Sequence, residues 1–212
     1  MQPILIDLDG TIVDVRARHY GVYSGTMAGM GREPLGAAQY WRGRRSGKST
    51  QDLLVGFSQA ERTHFSRLWV GRVESLGSLG LDCLFPGAAA ALTDLAAEFD
   101  LILVTLRRDH AALVHQLERL GIDRLFEGVL SSGQRHVGGK HTLAGLGEIA
   151  AGGYVVGDTE ADIDLAMRTR RRLICVANGV RTRRFLERQG ATTIVTSVRE
   201  LPAAIPAVTR AA

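Results

Sequence analysis

The chain has 212 residues, of which 45% are hydrophobic and 23% are charged, a composition typical of a folded globular protein. No run of about 18 apolar residues occurs, and the N-terminal segment lacks the pattern of a signal peptide. The two cysteines, Cys83 and Cys175, form neither a disulfide framework nor a CxxC metal motif. We therefore expect a cytoplasmic protein with free thiols and no membrane partner.

The positive charge is carried almost entirely by arginine. The net charge is +4, and only Lys48 and Lys140 among the 26 basic residues are lysine. Such a balance can indicate nucleic-acid binding. Here, however, acidic and basic residues are interspersed and the basic runs are short, which favours a solvated surface that attracts small anions. We expect no nucleic-acid partner, and a non-catalytic, arginine-rich module that binds nucleic acid or protein is a remote alternative.

The sequence begins with one predicted strand and continues with a long helical region. The short apolar run Ile4–Leu8 ends at Asp9-Gly10, which is typical of a buried strand followed by a loop. Between residues 15 and 85 the apolar residues follow helical spacing. The predicted helices of this region are His19–Met30, Ser49–Phe57 and Gln59–Leu79.

From Pro86 onward, predicted strands and helices alternate. The strands are Leu101–Thr105, Gly128–Ser131, Tyr154–Val156, Leu173–Ala177 and Thr193–Val195. The helices are Ala88–Glu98, Asp109–Leu120, Lys140–Ile149, Ala161–Thr169 and Thr182–Gln189, and the tail Pro202–Ala212 is expected to fray. This alternation predicts an α/β fold with a Rossmann-like parallel sheet and helices on both faces. Residues 1–14 and 86–212 would form this core domain, and residues 15–85 an inserted all-helical domain.

Two carboxylates follow the first strand, at the place where open α/β sheets bind their ligands. Asp7 and Asp9 are two residues apart and therefore face the same side. Because like charges oppose each other's ionisation, a hard divalent cation such as Mg²⁺ would resolve the conflict. The alternative interpretation is that Asp9-Gly10 is simply a turn.

Three further strand ends carry polar residues. Thr105, with the N–H groups of the loop after it, is a candidate anion site. Lys140 offers a compact point charge for a phosphate oxygen or a carboxylate. Asp158 and Asp162 are four residues apart across a helix start, so they can face one side. Each has an ordinary structural explanation, but together they indicate phosphoryl transfer, with a carboxylate nucleophile, a carboxylate that handles the proton, a metal and a lysine.

These motifs, in this order, resemble those of the haloacid dehalogenase superfamily of phosphatases, and the resemblance spans essentially the whole chain. The matching segments are Asp7-Leu8-Asp9-Gly10-Thr11, Val104-Thr105-Leu106-Arg107, Lys140, and Gly157-Asp158-Thr159-Glu160-Ala161-Asp162. The helical insert resembles the cap of the phosphoglycolate phosphatase and β-phosphoglucomutase branch. The chain departs from the family pattern at Lys140, which no proline follows, and at Leu106, where a small or amide residue is common.

The resemblance implies a catalytic role for each matching residue. Asp7 would be the nucleophile that becomes an aspartyl-phosphate, and Asp9 the general acid and base. Thr105 and Leu106 would bind the substrate phosphate, and Lys140 would bridge this phosphate and the nucleophile. An aspartate at the position of Asp9 favours phosphate esters over carbon–halogen or carbon–phosphorus bonds, because a leaving alkoxide needs a proton.

The resemblance also implies a Mg²⁺ site and a substrate class. Asp7, Asp158 and the backbone carbonyl of Asp9 would bind the metal, and Asp162 would support it directly or from behind these ligands. The expected function is Mg²⁺-dependent hydrolysis of the phosphomonoester of a small phosphorylated metabolite by a monomer or weak homodimer. A sugar phosphomutase of the same superfamily is the alternative.

A basic stretch within the helical insert is similar to a Walker A loop. Three residues instead of four separate its glycines, Gly43 and Gly47, and no buried strand precedes it, so a nucleotide kinase is not expected. We interpret the stretch as part of the cap that selects the leaving group, with a solvated basic turn as the alternative. The candidate specificity residues are Arg42, Arg44, Arg45, Lys48 and Arg107.

Overall fold

The structure is a computed structural model that describes residues 1–133 and 136–205. Six parallel strands form its central sheet: β1 (Gln2–Ile6), β4 (Phe99–Thr105), β5 (Gly128–Ser131), β6 (Tyr154–Gly157), β7 (Arg172–Val176) and β8 (Ile194–Val195). Their order across the sheet is β5-β4-β1-β6-β7-β8. A separate antiparallel pair, β2 (Val13–Asp14) and β3 (Cys83–Leu84), forms where the chain leaves and rejoins this part of the fold.

The first strand lies in the middle of the sheet because it is apolar on both faces. Ile4 and Ile6 are buried on one face and Leu5 on the other. A strand buried on both faces is characteristic of a parallel sheet. Since β1 pairs in parallel with β4 and with β6, the carboxyl ends of these three strands meet at one edge of the sheet.

Helices cover both faces of the sheet. On the face of Ile4 and Ile6 pack α5 (Ala88–Ala96), α6 (His110–Arg119) and α9 (Leu201–Ala204). On the opposite face pack α7 (Glu160–Thr169) and α8 (Arg183–Arg188). The predicted Rossmann-like fold is therefore confirmed. Within residues 1–133 and 136–205, no helix has both the length and the hydropathy for a membrane crossing.

Four helices fill the segment between β2 and β3, and we refer to residues 15–85 as the cap. They are α1 (Arg16–Gly29), α2 (Ala37–Arg45), α3 (Gln59–Val73) and α4 (Leu76–Leu79). The interior of the cap is aromatic, with Tyr23, Tyr40 and Phe65 fully buried. The rings of Tyr23 and Tyr40 stack with centroids 4.6 Å apart. The cap thus has a hydrophobic core of its own, separate from the core on either side of the sheet.

Some local predictions are wrong. The predicted helix Lys140–Ile149 is replaced by two 3₁₀ turns, Lys140–Thr142 and Leu146–Glu148, because Gly145 between them has a φ of +82°. The predicted helix Ser49–Phe57 retains only the 3₁₀ turn Gln51–Leu53.

Other element boundaries also differ from the prediction. The predicted helix Gln59–Leu79 is interrupted after Val73, and α4 starts anew with Ser75 as its N-cap. Helix α2 was not predicted, because among its residues only Tyr40 is buried and no amphipathic pattern marks it. In the tail expected to fray, α9 ends at Ala204, and residues 206–212 lie outside the described part of the chain.

Candidate active site

The carboxylate of Asp7 follows β1 and lines a cavity of about 310 Å³ between the sheet and the cap, which we call the cap–sheet cavity. Asp7 is 7% exposed. Its Oδ1 accepts a hydrogen bond from the Lys140 ammonium. Its Oδ2 lies 3.3 Å from the hydroxyl oxygen of Thr11, which follows in the next turn of the chain. One oxygen of this carboxylate is therefore held firmly, while the other has a single weak partner.

Lys140 connects this carboxylate to the fourth motif. Its side chain is buried, and Nζ donates to Asp7 and, over 2.7 Å, to Oδ1 of Asp162. Burial lowers the pKa of Lys140, but the carboxylates of Asp162 and Asp7 outweigh it, so the pKa lies above its ordinary value. The ammonium is therefore charged at every physiological pH. Lys140 lies in a 3₁₀ turn and not in the predicted helix. This turn still places the lysine against the first turn of α7.

Asp7, Asp158 and Asp162 form a buried acidic cluster. Carboxylate oxygens of the three residues lie within 4.8 Å of one another. Burial raises the pKa of Asp7 to about 7, where Asp162 adds to the effect and Lys140 opposes it. Burial, Asp7 and Asp162 together raise the pKa of Asp158 well above its ordinary value. Full ionisation of all three carboxylates would therefore exceed what one ammonium balances, and a further cation would favour it over protonation.

Two oxygens of this cluster are available to a metal ion. Asp162 is fully engaged, since its Oδ2 accepts hydrogen bonds from the N–H and the hydroxyl of Thr159 at 3.0 and 2.8 Å, and its Oδ1 binds Lys140. By contrast, Oδ2 of Asp7 and Oδ1 of Asp158 each lie 3.3 Å from the single Thr11 hydroxyl, which has one proton to donate. Mg²⁺ prefers a few carboxylate oxygens and keeps several waters, so the residues present fit this ion.

The Asp158 carboxylate packs so closely against the backbone of Gly10 that no side chain fits there. Gly10 has a φ of +89°, and a Cβ at this position would come within 2.3 Å of Oδ2 of Asp158. The same oxygen accepts a hydrogen bond from the N–H of Val180. The glycine in the first motif is therefore required for the carboxylate of the fourth motif to sit beside Asp7.

Asp9 is held by two arginines. Arg107 donates from Nε to Oδ2 over 2.7 Å and from Nη2 to Oδ1 over 2.6 Å, and Arg18 donates to Oδ1 over 2.8 Å. Burial raises the pKa of Asp9, but the guanidiniums of Arg107 and Arg18 outweigh it and hold the pKa far below its ordinary range. Asp9 is thus ionised in this arrangement. The sequence predicted Arg107 as a specificity residue. In the structure, two of its side-chain nitrogens donate to the Asp9 carboxylate.

Both predicted phosphate-binding residues of the second motif line the same cavity. Thr105 ends β4 and is 2% exposed, and Leu106 after it is 39% exposed. The Thr105 hydroxyl accepts a hydrogen bond from the N–H of Arg107 over 3.3 Å, which shapes the loop. Asp7, Asp9 and Lys140 line the same cavity as this loop. The loop lies close to the first motif because β4 pairs directly with β1.

The predicted specificity residues of the cap are divided by the structure. Arg44 lines the cap–sheet cavity. Arg45 instead donates to the carbonyl oxygens of Ala177, at 2.9 Å, and Gly179, at 2.6 Å, and so fastens the cap to the loop after β7. Arg42 and Lys48 are exposed and do not line the cavity.

Sequence reasoning missed several residues that line the cavity. They are Arg18 and His19 of α1, Trp69 of α3, Glu74, and Arg181. Glu74 accepts hydrogen bonds from the backbone N–H groups of Arg108 and Asp109 at 2.9 and 2.8 Å, which closes the cap over the second motif. No spacing along the chain signals these residues, because they meet the strand ends only through the packing of the cap on the sheet.

Comparison with known proteins identifies related sequences and folds. A family model described as haloacid dehalogenase-like hydrolase matches residues 1–166 of the chain. A comparison with curated protein sequences gives no significant match.

Solved structures with low sequence identity share the fold over nearly the whole chain. A hydrolase of the haloacid dehalogenase-like family from Streptococcus pneumoniae superposes with a TM-score of 0.83 at 20% identity, covering 97% of this chain and 99% of that chain. A protein from Lactobacillus delbrueckii subsp. bulgaricus, assigned as a phosphoglycolate phosphatase, gives 0.74 at 20% identity, covering 96% and 97%. One from Thermotoga maritima, assigned as a β-phosphoglucomutase, gives 0.66 at 16% identity, covering 96% and 98%. At these identities the likeness shows a common fold.

Proposed function

Because the chain belongs to the haloacid dehalogenase-like hydrolase family, we propose that it hydrolyses phosphomonoesters of small metabolites, with Mg²⁺ and through an aspartyl-phosphate on Asp7. The observation that carries the proposal is the environment of Asp7. Its carboxylate lies on the cap–sheet cavity, with one oxygen held by Lys140, and the phosphate-binding candidate Thr105 lines the same cavity. A carboxylate positioned in this way is suited to attack phosphorus.

The substrate phosphate would be bound by the residues at the strand ends. The Thr105 hydroxyl, the N–H of Leu106 and the Lys140 ammonium are the donors that this loop and turn offer to phosphate oxygens. Lys140 already contacts the nucleophile, so the same charge would stabilise the phosphate and hold Asp7 in position. Asp162 would act by holding Lys140 and the first turn of α7.

The chemical steps use the two carboxylates of the first motif. Asp7 would attack phosphorus, the bond from phosphorus to the leaving oxygen would break, and protonated Asp9 would give its proton to that oxygen. A water molecule would then attack the aspartyl-phosphate and return a proton to Asp9, which frees phosphate and Asp7. Asp9 is ionised while paired with Arg107, which suits the water step. For the first step, the pair with Arg107 must loosen so that Asp9 takes up a proton.

The metal site would use the least satisfied oxygens of the acidic cluster. Asp7 and Asp158, with the backbone carbonyl of Asp9, would hold Mg²⁺, which supplies the positive charge that offsets the substrate phosphate. The convergence of three buried carboxylates within 4.8 Å, with raised pKa values for Asp7 and Asp158, supports this assignment. Thr11 and Lys140 each contact Asp7 and would keep its carboxylate in place.

The test is phosphate release from an aryl phosphate with Mg²⁺, compared with the same assay in excess chelator. We expect activity that requires the metal and that falls by about 10⁴-fold or more in Asp7→Asn, because an amide is a poor nucleophile. Asp94→Asn, an exposed substitution of the same chemistry, is the control. Full activity in excess chelator, or in Asp7→Asn, would contradict the proposal. Isomerisation of a sugar phosphate, measured in the same samples, separates a hydrolase from a phosphomutase.

A further inference from the structure

Two of the basic runs in the sequence meet on one surface of the folded chain. One is the stretch 42–48 of the cap, and the other, 181–184, follows β7. A cleft of about 420 Å³ lies where they meet, and we call it the arginine cleft. The residues that line it are Arg42, Arg45, Ser46, Thr182, Arg184 and Arg188. Four of these six residues are arginines and none is acidic, so the cleft is strongly positive.

The arginine cleft is separate from the cap–sheet cavity. The last two residues of α2 line different spaces, since Arg44 lines the cavity and Arg45 lines the cleft. Among the residues that the structure describes, none lines both. A ligand in the arginine cleft would therefore not occupy the space beside Asp7, where the proposed chemistry takes place.

The positive charges of the cleft lack carboxylate partners. Within residues 1–133 and 136–205, none of its four arginines forms an ion pair. By contrast, Arg107 and Arg181 on the cap–sheet cavity are each paired with an acidic side chain. Glu187, the acidic residue of α8, does not line the cleft. Since like charges around one cleft repel each other, a multivalent anion would be stabilised there.

Arg45 is fixed in the cleft by the backbone of the core. Its guanidinium donates to the carbonyl oxygens of Ala177, over 2.9 Å, and Gly179, over 2.6 Å. These partners are neutral, so they set the position of the guanidinium and leave its charge uncompensated. Burial and the nearby Arg16 lower the pKa of Arg45, which shows that its charge is incompletely solvated. An anion in the cleft would offset this charge.

The other three arginines are available to a ligand. Arg42, Arg184 and Arg188 are exposed, and their side chains form no hydrogen bond with the described residues. The Thr182 hydroxyl accepts a hydrogen bond from the N–H of Phe185 over 3.2 Å, so its own proton can be donated to a ligand. A guanidinium binds phosphate oxygens with two parallel N–H groups, which an ammonium cannot do. The donors of the cleft therefore suit phosphate groups.

The arginines lie on both sides of the junction between cap and core. Arg184 and Arg188 are four residues apart on α8, so they share one face of this helix, whereas Arg42 belongs to α2 of the cap. The two parts adjoin here, because the N–H of Thr182 donates to the carbonyl oxygen of Arg45 over 3.1 Å. A chain of linked phosphates offers oxygen atoms to several arginines at once, which a single phosphate does not.

From this arrangement we infer that the arginine cleft binds a chain of linked phosphate groups, as inorganic polyphosphate or as the triphosphate of a nucleotide, and that this anion bridges α2 and α8. The bound anion would hold the cap against the core and stabilise the folded protein. The inference does not depend on the chemistry proposed for Asp7, because the cleft and the cap–sheet cavity share no described residue.

The experiment is calorimetric titration of the wild-type protein with sodium tripolyphosphate and, separately, with ATP. Both titrations are done without added metal, so that no Mg²⁺ draws phosphates to the acidic cluster. We expect one molecule of probe to bind per chain. Equal affinity for the two probes would show that the phosphates alone are recognised, and tighter binding of ATP that the nucleoside adds contacts. No binding of either probe at about 0.1 M salt would overturn the inference.

Paired substitutions test whether the cleft holds the anion. Arg184→Gln with Arg188→Gln should raise the Kd of tripolyphosphate by about 10-fold or more, because two charged donors are lost. Arg67→Gln with Arg199→Gln removes the same two charges from exposed positions outside the cleft. This matched control should keep the Kd within about twofold of the wild-type value. An equal loss in both proteins would show general attraction to a basic surface and overturn the inference.

The bridge between cap and core is tested from the cap side. Arg42→Gln should raise the Kd of tripolyphosphate by about 3- to 10-fold, because this arginine would contact the anion from α2. In the wild type, tripolyphosphate should also raise the Tm and slow hydrogen exchange at the N–H of Thr182, which joins the two parts. Binding that is unchanged in Arg42→Gln, with no slowing at Thr182, would place the anion on α8 alone and overturn the bridge.

Discussion

Arg107 and Asp9 form a bidentate ion pair that joins the second motif to the first, with Nε to Oδ2 at 2.7 Å and Nη2 to Oδ1 at 2.6 Å. The arginine is 4% exposed, so its charge depends on this carboxylate more than on water. The pair fixes the orientation of Asp9 and keeps it ionised. Nη1, the remaining terminal nitrogen of Arg107, is buried without a hydrogen-bond partner among the described residues.

Replacing Arg107 should therefore affect both stability and activity. Arg107→Gln leaves Asp9 with Arg18 as its remaining cationic partner, so we expect the free energy of unfolding to fall by about 1–3 kcal/mol. Activity on an aryl phosphate should fall as well, because Asp9 is no longer oriented. Arg108→Gln is the control, since its side chain is exposed and its backbone N–H alone contacts Glu74. Urea unfolding that does not distinguish the two variants would contradict this role of the pair.

A buried ion pair ties the first cap helix to the end of the cap. Arg18 of α1 and Asp82 are 1% and 0% exposed and lie 2.8 Å apart, and Gln116 donates to the same carboxylate over 2.8 Å. Arg18→Met leaves the buried Asp82 carboxylate with Arg107 as its nearest cation, at 3.6 Å, so we expect a loss of about 3 kcal/mol in the free energy of unfolding.

The control for this variant lies two residues earlier on the same helix. The side chain of Arg16 is 60% exposed and pairs with Asp14 at the surface, so Arg16→Met should cost no more than about 1 kcal/mol. Chemical denaturation of both variants measures the difference. A loss in Arg18→Met as small as that in Arg16→Met would mean that the buried pair does not stabilise the junction of cap and core.

Stabilisation by Mg²⁺ should increase with pH. In the metal-free protein, burial raises the pKa of Asp7 to about 7, from 3.8 in the unfolded chain, so the folded state binds more protons between these values. The metal-free protein should therefore lose stability as pH rises through this range. Mg²⁺ competes with these protons, and its effect on the Tm should be larger at pH 8 than at pH 5.5.

Calorimetric melting with and without Mg²⁺ at both pH values measures this effect. Asp158→Asn should abolish the Mg²⁺ shift, because it removes a carboxylate of the acidic cluster, while Asp94→Asn should retain it. A Tm shift that is independent of pH, or that persists in Asp158→Asn, would place the bound metal outside the cluster.

The two lysines of the chain offer a matched pair of substitutions. Lys140 is buried between Asp7 and Asp162, whereas Lys48 is exposed. We expect Lys140→Arg to recover little of the activity lost in Lys140→Ala, because a planar guanidinium does not fit the position of a compact ammonium. Lys48→Arg should behave like wild type. Aryl phosphate turnover at wild-type levels in Lys140→Arg would remove Lys140 from the catalytic site.

The strand ends of the candidate site could be predicted from the sequence because two rules coincide there. Apolar runs mark the buried parallel strands, and ligands bind where such strands end, so the sequence predicts Asp7, Thr105 and Asp158 as candidates. The segment that carries Lys140 was predicted as a helix but forms a 3₁₀ turn, and the lysine still reaches the site because this turn packs against α7.

The cap side of the site could not be predicted in this way. Arg18 and His19 look like ordinary polar residues near the start of a helix, and the basic stretch gave no means of separating Arg44, which lines the cavity, from exposed Arg42. Their positions depend on how the cap packs against the sheet, through contacts between residues far apart in the chain. Glu160, an acidic residue in the first turn of α7, likewise gives no sign in the sequence of its ion pair with Arg181.

The role of Asp7 as nucleophile is tested by identifying the residue that carries the phosphoryl group during turnover. Wild-type protein mixed with excess substrate and Mg²⁺ is quenched in acid, reduced with borohydride and digested, and the modified residue is identified by mass spectrometry. We expect modification of Asp7 in the wild type, and no modification when substrate is omitted or in Asp7→Asn. Steady turnover with Asp7 unmodified, or with the phosphoryl group on another residue, would contradict this role.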